Sequence, residues 1–192
     1  MISMDKQSAI QQLAERIVEE RVCEHLALPG IQLVMGSGNL DAEIVFIGEA
    51  PGKEENRLGL PFVGASGKFL NTMLESIQLK REDVYITNIV KYRPPDNRDP
   101  SPDEKAAFRP FLDEQIRIIN PKVIVTLGRH SMNEFLPKEK IGTIHGCLQT
   151  RGPGLPPIFP LFHPAAALYD GSMRGTLLAD FQKLRNFLSK CR

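Results

Sequence analysis

Cysteine is scarce and scattered: Cys23, Cys147 and Cys191 are three in number, far apart and in no CxxC spacing. Such a set signals neither a disulfide framework nor a zinc site, and reads as reduced thiols with no metal. Long apolar runs are missing too. No window approaches the ~18 uninterrupted apolar residues of a membrane span, and the N-terminal stretch MISMDKQSAIQQLAERIVEE is polar and amphipathic, without an apolar leader core. A cytoplasmic protein with no membrane partner is expected. Neither sign of charge dominates, since 24 Lys+Arg against 23 Asp+Glu leave a net +1. That balance neither announces nor excludes a nucleic-acid partner, because local patches outweigh totals. Internal repeats, low-complexity tracts and the phosphate-cradling patterns GxxxxGK[ST] and GxGxxG are also absent.

What is present is a chain of 192 residues, a length that fits one domain, 1–192, with an N-terminal helix within 1–30 packed on it, expected as a monomer. Ile10, Leu13, Ala14, Ile17, Val18 and Val22 recur at helical spacing. Four short apolar runs follow: Glu43 to Ile47, Val84 to Thr87, Val123 to Leu127 and Ile158 to Phe162. Helical patterns separate them, with Phe69, Leu70, Met73, Leu74 and Ile77 after the first and Phe111, Leu112, Ile116 and Ile119 after the second. Ser101-Pro102-Asp103-Glu104 is a capping box that starts the latter helix, and Pro110 should kink it. Pro160 marks the last run as an edge strand or bulge. Residues 141–154 read as a small hairpin or irregular excursion. The alternation predicts an α/β fold: a three-layer α/β/α sandwich around a four-stranded, mainly parallel sheet.

Ligands of such sheets bind beyond the carboxyl ends of the strands. Those ends carry Glu49, Asn88, Gly128 and His163, and the glycine-punctuated loop after the first strand adds Phe62. A carboxamide sets a donor beside an acceptor, matching N3–H and O4 of uracil, and a phenyl ring stacks on a flat base. A histidine donating to O2 stabilises the charge that grows there as an N-glycosidic bond breaks, while Glu49 holds or polarises the attacking water. Lys91, Arg93 and Arg98 form a basic, proline-rich loop suited to phosphate contact. Taken singly, each has a blander reading: Glu49 as a solvated loop carboxylate, Asn88 as a turn residue, His163 as a satisfied structural histidine, Phe62 and Leu168 as core. His130 and His145 show no partner in sequence and are left structural, and His25 beside Cys23 lacks the second pair a metal site needs.

The stretches GEAPG (48–52), LPFVGASG (60–67), VYITNIVK (84–91), RPP (93–95), Asn97-Arg98 and HPAAAL (163–168) together resemble the motifs of family four uracil-DNA glycosylases, in order and spacing, from about Gly36 to the C-terminus. The resemblance implies uracil excision from DNA, with uracil as product. It implies that Phe62 stacks on uracil, Asn88 reads its polar edge, His163 contacts O2, and Glu49 and Ala50 stand at the water site, where a related family carries Asp in place of Ala50. Leu168 is a candidate wedge for the space left by an extruded base, and Arg174 a candidate DNA contact after the His163 motif. Family members usually bind a four-iron four-sulfur cluster through four cysteines. Here Tyr92 and Phe108 stand at two of those positions and only Cys23 lies near the other pair, so no cluster is expected.

Overall fold

The computed structural model describes residues 5–190. In chain order the elements are α1 (Lys6–Glu19), β1 (Ser37–Gly38), β2 (Ile44–Gly48), α2 (Lys53–Leu58), α3 (Ala65–Ser76), β3 (Tyr85–Asn88), α4 (Pro102–Ile119), β4 (Val123–Leu127), α5 (Arg129–Asn133), α6 (Ile141–Ile144), β5 (Ile158–Leu161), α7 (Ala166–Tyr169) and α8 (Met173–Lys190). The sheet has five strands in the order β1-β3-β2-β4-β5, not the four expected. The extra strand is the two-residue β1, antiparallel to β3, while β3-β2, β2-β4 and β4-β5 are parallel. Two residues leave no alternating pattern to find, and Gly38 packs so closely on the Val84 carbonyl that no β-carbon fits.

Strand residues alternate between two apolar cores, which is the three-layer arrangement in residue terms. Phe46, Ile86, Val125 and Phe159 face α3 and α8, with Phe69, Met73, Leu177 and Phe181. Val45, Ile47, Ile124 and Ile158 face the opposite way, onto Leu13 and Ile17 of α1 and Phe108, Phe111 and Leu112 of α4. Of the six residues expected to seat α1, Ile10, Leu13 and Ile17 are buried, whereas Val18 lies 58% exposed. Helix α4 opens on the foreseen capping box, Ser101 accepting from the Glu104 N–H while the Glu104 carboxylate accepts from Ser101 N–H. It runs from Pro102 to Ile119 as one element with Pro110 inside it, on the exposed side. Pro160 sits in β5 at the sheet's edge. Residues 141–154 contain the one-turn α6 and a single antiparallel bridge from Gln149 to Ile158, which is the irregular excursion rather than the hairpin.

Candidate active site

The parallel strands β2, β3 and β4 end at Gly48, Asn88 and Leu127 on one rim, where a pocket of about 620 Å³ opens. Glu49, Ala50, Phe62, Asn88 and His163 all line it, along with Leu168, Tyr169 and Arg98. Four chain segments far apart in sequence thus deliver the predicted groups to one cavity. Gly48 permits the convergence: a β-carbon there would lie 2.4 Å from Asn88 Oδ1 and 2.5 Å from Phe62 Cζ. Only glycine allows strand, ring and carboxamide to approach this closely.

Phe62 is buried yet holds a positive φ of 51°, a conformation that costs energy and persists only where neighbours enforce it. Three groups do so. The Glu55 carboxylate accepts from the N–H groups of Val63 and Gly64 at 2.9 and 2.8 Å. The Arg81 guanidinium donates to the Phe62 carbonyl at 2.9 Å, to the Pro61 carbonyl and to Asn71. Gly67 removes the β-carbon that would strike the Phe62 carbonyl at 1.9 Å. The ring therefore presents a fixed face, with the His163 imidazole stacked 5.6 Å away between centroids.

Asn88 is 2% exposed, and its Oδ1 has no hydrogen-bond partner among the described residues. Such a buried acceptor carries a desolvation cost of roughly 1–3 kcal/mol unless something donates to it. His163 is pre-set as a donor. Its Nδ1 accepts from the Ala165 N–H at 3.1 Å, which leaves the hydrogen of the neutral ring on Nε2. Burial, foremost, depresses the imidazole to about 4, so it stays neutral at physiological pH. Glu49 behaves oppositely. Desolvation first, and then the Asp99 carboxylate, raise its carboxyl to about 7, poised to take a proton.

The basic loop is rearranged relative to expectation. Lys91 does not face DNA: it is fully buried, and its ammonium donates to Thr87 Oγ1 and Gln115 Oε1 at 2.6 Å and to the Asn88 carbonyl at 2.9 Å. An i+3 step from the strand end turns this side chain back under the sheet, where polar atoms of β3 and α4 receive it. Arg98 lines the pocket, although its guanidinium forks onto Glu104 at 2.6 and 2.8 Å. Arg93 is half-buried and donates to Asn97 at 2.8 Å. Arg174 is exposed, its guanidinium 4.7 Å above the Phe69 ring. Lys53, which the sequence did not single out, lines the pocket mouth at the start of α2.

Comparison with known proteins decides the lineage. The sequence model of the Uracil DNA glycosylase superfamily matches residues 35–189. The chain belongs to the uracil-DNA glycosylase superfamily. Among its relatives, the Type-4 uracil-DNA glycosylase of Saccharolobus solfataricus is 48% identical over 81% of this chain and 76% of its own length. Those of Sulfurisphaera tokodaii and Thermotoga maritima are 44% and 43% identical, covering 92% and 91% of this chain and 84% and 94% of theirs.

Whether this superfamily member offers the thiolates of an iron–sulfur cluster is a question of donor chemistry. Tyr92 and Phe108, at two of the expected ligand positions, are 5% and 0% exposed and pack edge to face with centroids 5.9 Å apart. Cys23 points its thiol at the Glu104 carbonyl, 3.9 Å away, and burial followed by the Glu104 charge pushes that thiol up to about 11. Cys147 is an exposed thiol elsewhere, and Cys191 lies outside the described residues. A phenol, a phenyl ring and one reluctant thiol do not make the four-thiolate set such a cluster takes.

Three groups at this glycosylase rim have weak sequence signals. Glu55 and Arg81 act through backbone atoms, which no spacing encodes. The sequence shows no partner for His130, but it stands at the N-terminal end of α5 with Nε2 3.2 Å from Asp99 and 3.9 Å from Glu49. His145, likewise without a partner in sequence, is held by Asp180 at 2.6 Å.

Proposed function

We propose that this chain is a monofunctional uracil-DNA glycosylase, acting on deoxyuridine flipped out of DNA into the rim pocket. The observation that carries the reading is the buried Asn88 Oδ1, which has no partner among the described residues. Uracil N3–H satisfies it, and the neighbouring amide N–H donates to O4, while cytosine, with an acceptor at N3, leaves it unmet. Phe62 stacks on the base, and the neutral His163 donates from Nε2 to O2. As the N1–C1′ bond breaks, its electron pair leaves with uracil, and the donor at O2 meets the growing charge. Water then adds to the oxocarbenium-like C1′ and gives a proton to the Glu49 carboxylate. The base departs as uracil after taking a proton at N1 from solvent, and an abasic site remains. Ala50 brings no second acid, so Glu49 carries the proton alone at that position.

Lys53 and Arg98 at the pocket mouth, with Arg93 and Arg174 farther out, are the groups offered to phosphates, which fix register without reading sequence. Lys91 is outside this set, since protein acceptors already surround its ammonium. The apolar pair Tyr92 and Phe108 supports working without an iron–sulfur cluster; an iron assay and the visible spectrum of fresh protein test that, and a stoichiometric brown chromophore would refute it.

The test of activity uses single- and double-stranded oligonucleotides containing U or T, followed by alkaline cleavage at abasic sites. Release of uracil, with none of thymine, is expected. Failure to release uracil from either form ends the reading. Asn88→Asp, which presents only acceptors to O4, is expected to lose uracil activity, and unchanged rates would remove Asn88 as the base reader.

A further inference from the structure

Tyr169 is the most exposed large apolar side chain among the described residues, with 92% of it in water, and it stands on the lip of the pocket it helps to line. Val18, Leu28, Leu58, Leu60 and Leu155 are 45–58% exposed, and none of them lines that pocket. A single apolar residue in water is ordinary. What sets this one apart is its place, because the other two of the chain's three tyrosines, Tyr85 and Tyr92, are sealed in the core.

The backbone under the ring is tied on both sides. The Ala165 N–H donates to His163 Nδ1 at 3.1 Å and the Ala166 N–H to the His163 carbonyl at 2.9 Å, so α7 is built directly on the imidazole offered to uracil O2. Beyond the ring, Asp170 Oδ1 accepts from the Ser172 N–H at 2.9 Å and from its hydroxyl at 2.6 Å. Ala165, Ala166 and Ala167 raise only methyl groups, so Leu168 and Tyr169 stand out from the lip. Consecutive residues of a helical turn point about 100° apart. The two side chains therefore cannot enter the same gap: with Leu168 toward the space of an extruded base, Tyr169 is left for its flank.

We propose that Tyr169 is a stacking platform for the nucleobase next to the flipped deoxyuridine in the same strand, a second base site beside the uracil pocket. This rests on the glycosylase reading. Extruding one nucleotide strips its neighbour of a stacking face, and an exposed phenol ring replaces that face whatever the neighbour's identity, since every base has a π-face. Tyrosine is ordered at low entropic cost, having two side-chain torsions. Phosphate suits the ring less well, because the exposed carboxylate of Asp170 is its direct neighbour. A stacking platform acts in single strands as well as in duplex, whereas a wedge matters only where a duplex is opened.

The experiment measures binding of wild type, Tyr169→Ala, Tyr169→Leu and Tyr169→Phe to a single-stranded oligonucleotide carrying one non-cleavable 2′-fluorodeoxyuridine. The alanine and leucine variants are expected to bind about tenfold more weakly, and the phenylalanine variant within about twofold of wild type. Replacing the base on one side of the fluorodeoxyuridine by an abasic tetrahydrofuran should weaken wild type by the same factor and leave Tyr169→Ala unmoved, the coupling expected of two groups in contact. The chain has no tryptophan, so its emission is that of tyrosine. Binding should quench that emission in wild type but not in Tyr169→Phe, whose remaining tyrosines are buried. Wild-type affinity in the alanine variant, or an equal response of wild type and Tyr169→Ala to loss of either neighbouring base, overturns the proposal while uracil release by wild type keeps the glycosylase reading. A leucine variant as tight as wild type overturns stacking in favour of plain apolar contact. No uracil release by wild type overturns both.

Discussion

Asn88 and Glu104 are each 2% exposed, and the molecule treats them in opposite ways. Glu104 is saturated: Arg98 forks onto it, His25 reaches it at 2.8 Å and the Ser101 N–H at 2.7 Å, and Arg98 above all holds its carboxyl down to about 2. The Asn88 side chain has an acceptor that nothing in the described protein satisfies. A buried polar group fully partnered by its own chain stabilises the fold, whereas one left open stores an interaction for something that arrives. Glu104 and its neighbours Tyr92 and Phe108 close the region where the family resemblance implies cluster cysteines; the rim a few residues away is kept unfinished.

The contrast breaks most visibly if both residues are removed in turn. Asn88→Ala is expected to lower uracil release about 10³-fold or more, because the hydrogen-bonding edge of the base is no longer read. Its melting temperature should stay close to wild type, since no bond of the fold is lost. Glu104→Ala should do the reverse, costing about 2 kcal/mol, or roughly 4–8 °C in melting temperature, with activity of the folded protein largely kept. Calorimetry and single-turnover kinetics on the two variants decide it, and a destabilised but active Asn88→Ala would invert the assignment. Glu104 also makes an acid prediction. Its carboxyl is depressed in the folded state, so its stabilisation is complete above the unfolded value and fades as pH falls from about 5 toward about 2.

Glu49 sharpens the same comparison within the rim. Its raised carboxyl means that the base form grows in as pH rises through about 7, so kcat should climb through that value. Glu49→Gln should cost about 10²-fold and flatten the profile. His163, held near 4, should contribute no inflection above about pH 5. A profile that stays flat in wild type would remove Glu49 as the base.

Lys91 is the saturated group nearest the open one, since its ammonium grips the Asn88 carbonyl. Burial lowers it to about 7, below its unfolded value near 10. The unfolded chain therefore binds more protons between those values, and folding stability should rise as pH increases from about 7 to about 10. Lys91→Met should abolish that rise in denaturant titrations; an unchanged slope would mean that the ammonium stays charged in the folded state.

Much of this was legible in the sequence because it is periodic or punctuated. The β2 run before Gly48, the Ser101 capping box and Pro160 on an edge each announce themselves through one local rule. The pocket residues were legible as strand-end groups, which the parallel topology gathers on one rim. What stayed hidden depends on distance through space. Two-residue β1 has no period. Lys91 reads as loop charge until the turn after Asn88 sends it inward to Gln115, 24 residues on. Glu55 and Arg81 grip backbone atoms, and His130 meets Asp99 and Glu49 only after β2 and β4 are paired.

Apolar atoms repeat the logic of Asn88 at smaller scale. Leu168 is 50% exposed and Tyr169 92% exposed on the pocket lip, apolar surface left in water where the core side chains of the same fold are sealed. Surface of this kind beside a base pocket suits insertion into the gap left by a flipped nucleotide, which matters only where a stack must be opened and held. Leu168→Ala is therefore expected to slow release from double-stranded DNA several-fold, roughly the 1 kcal/mol of a lost apolar contact. Release from single-stranded DNA should stay within about twofold, because no duplex has to be unstacked there. Equal losses on both substrates would return Leu168 to the pocket wall, and no loss on either would make its exposure incidental.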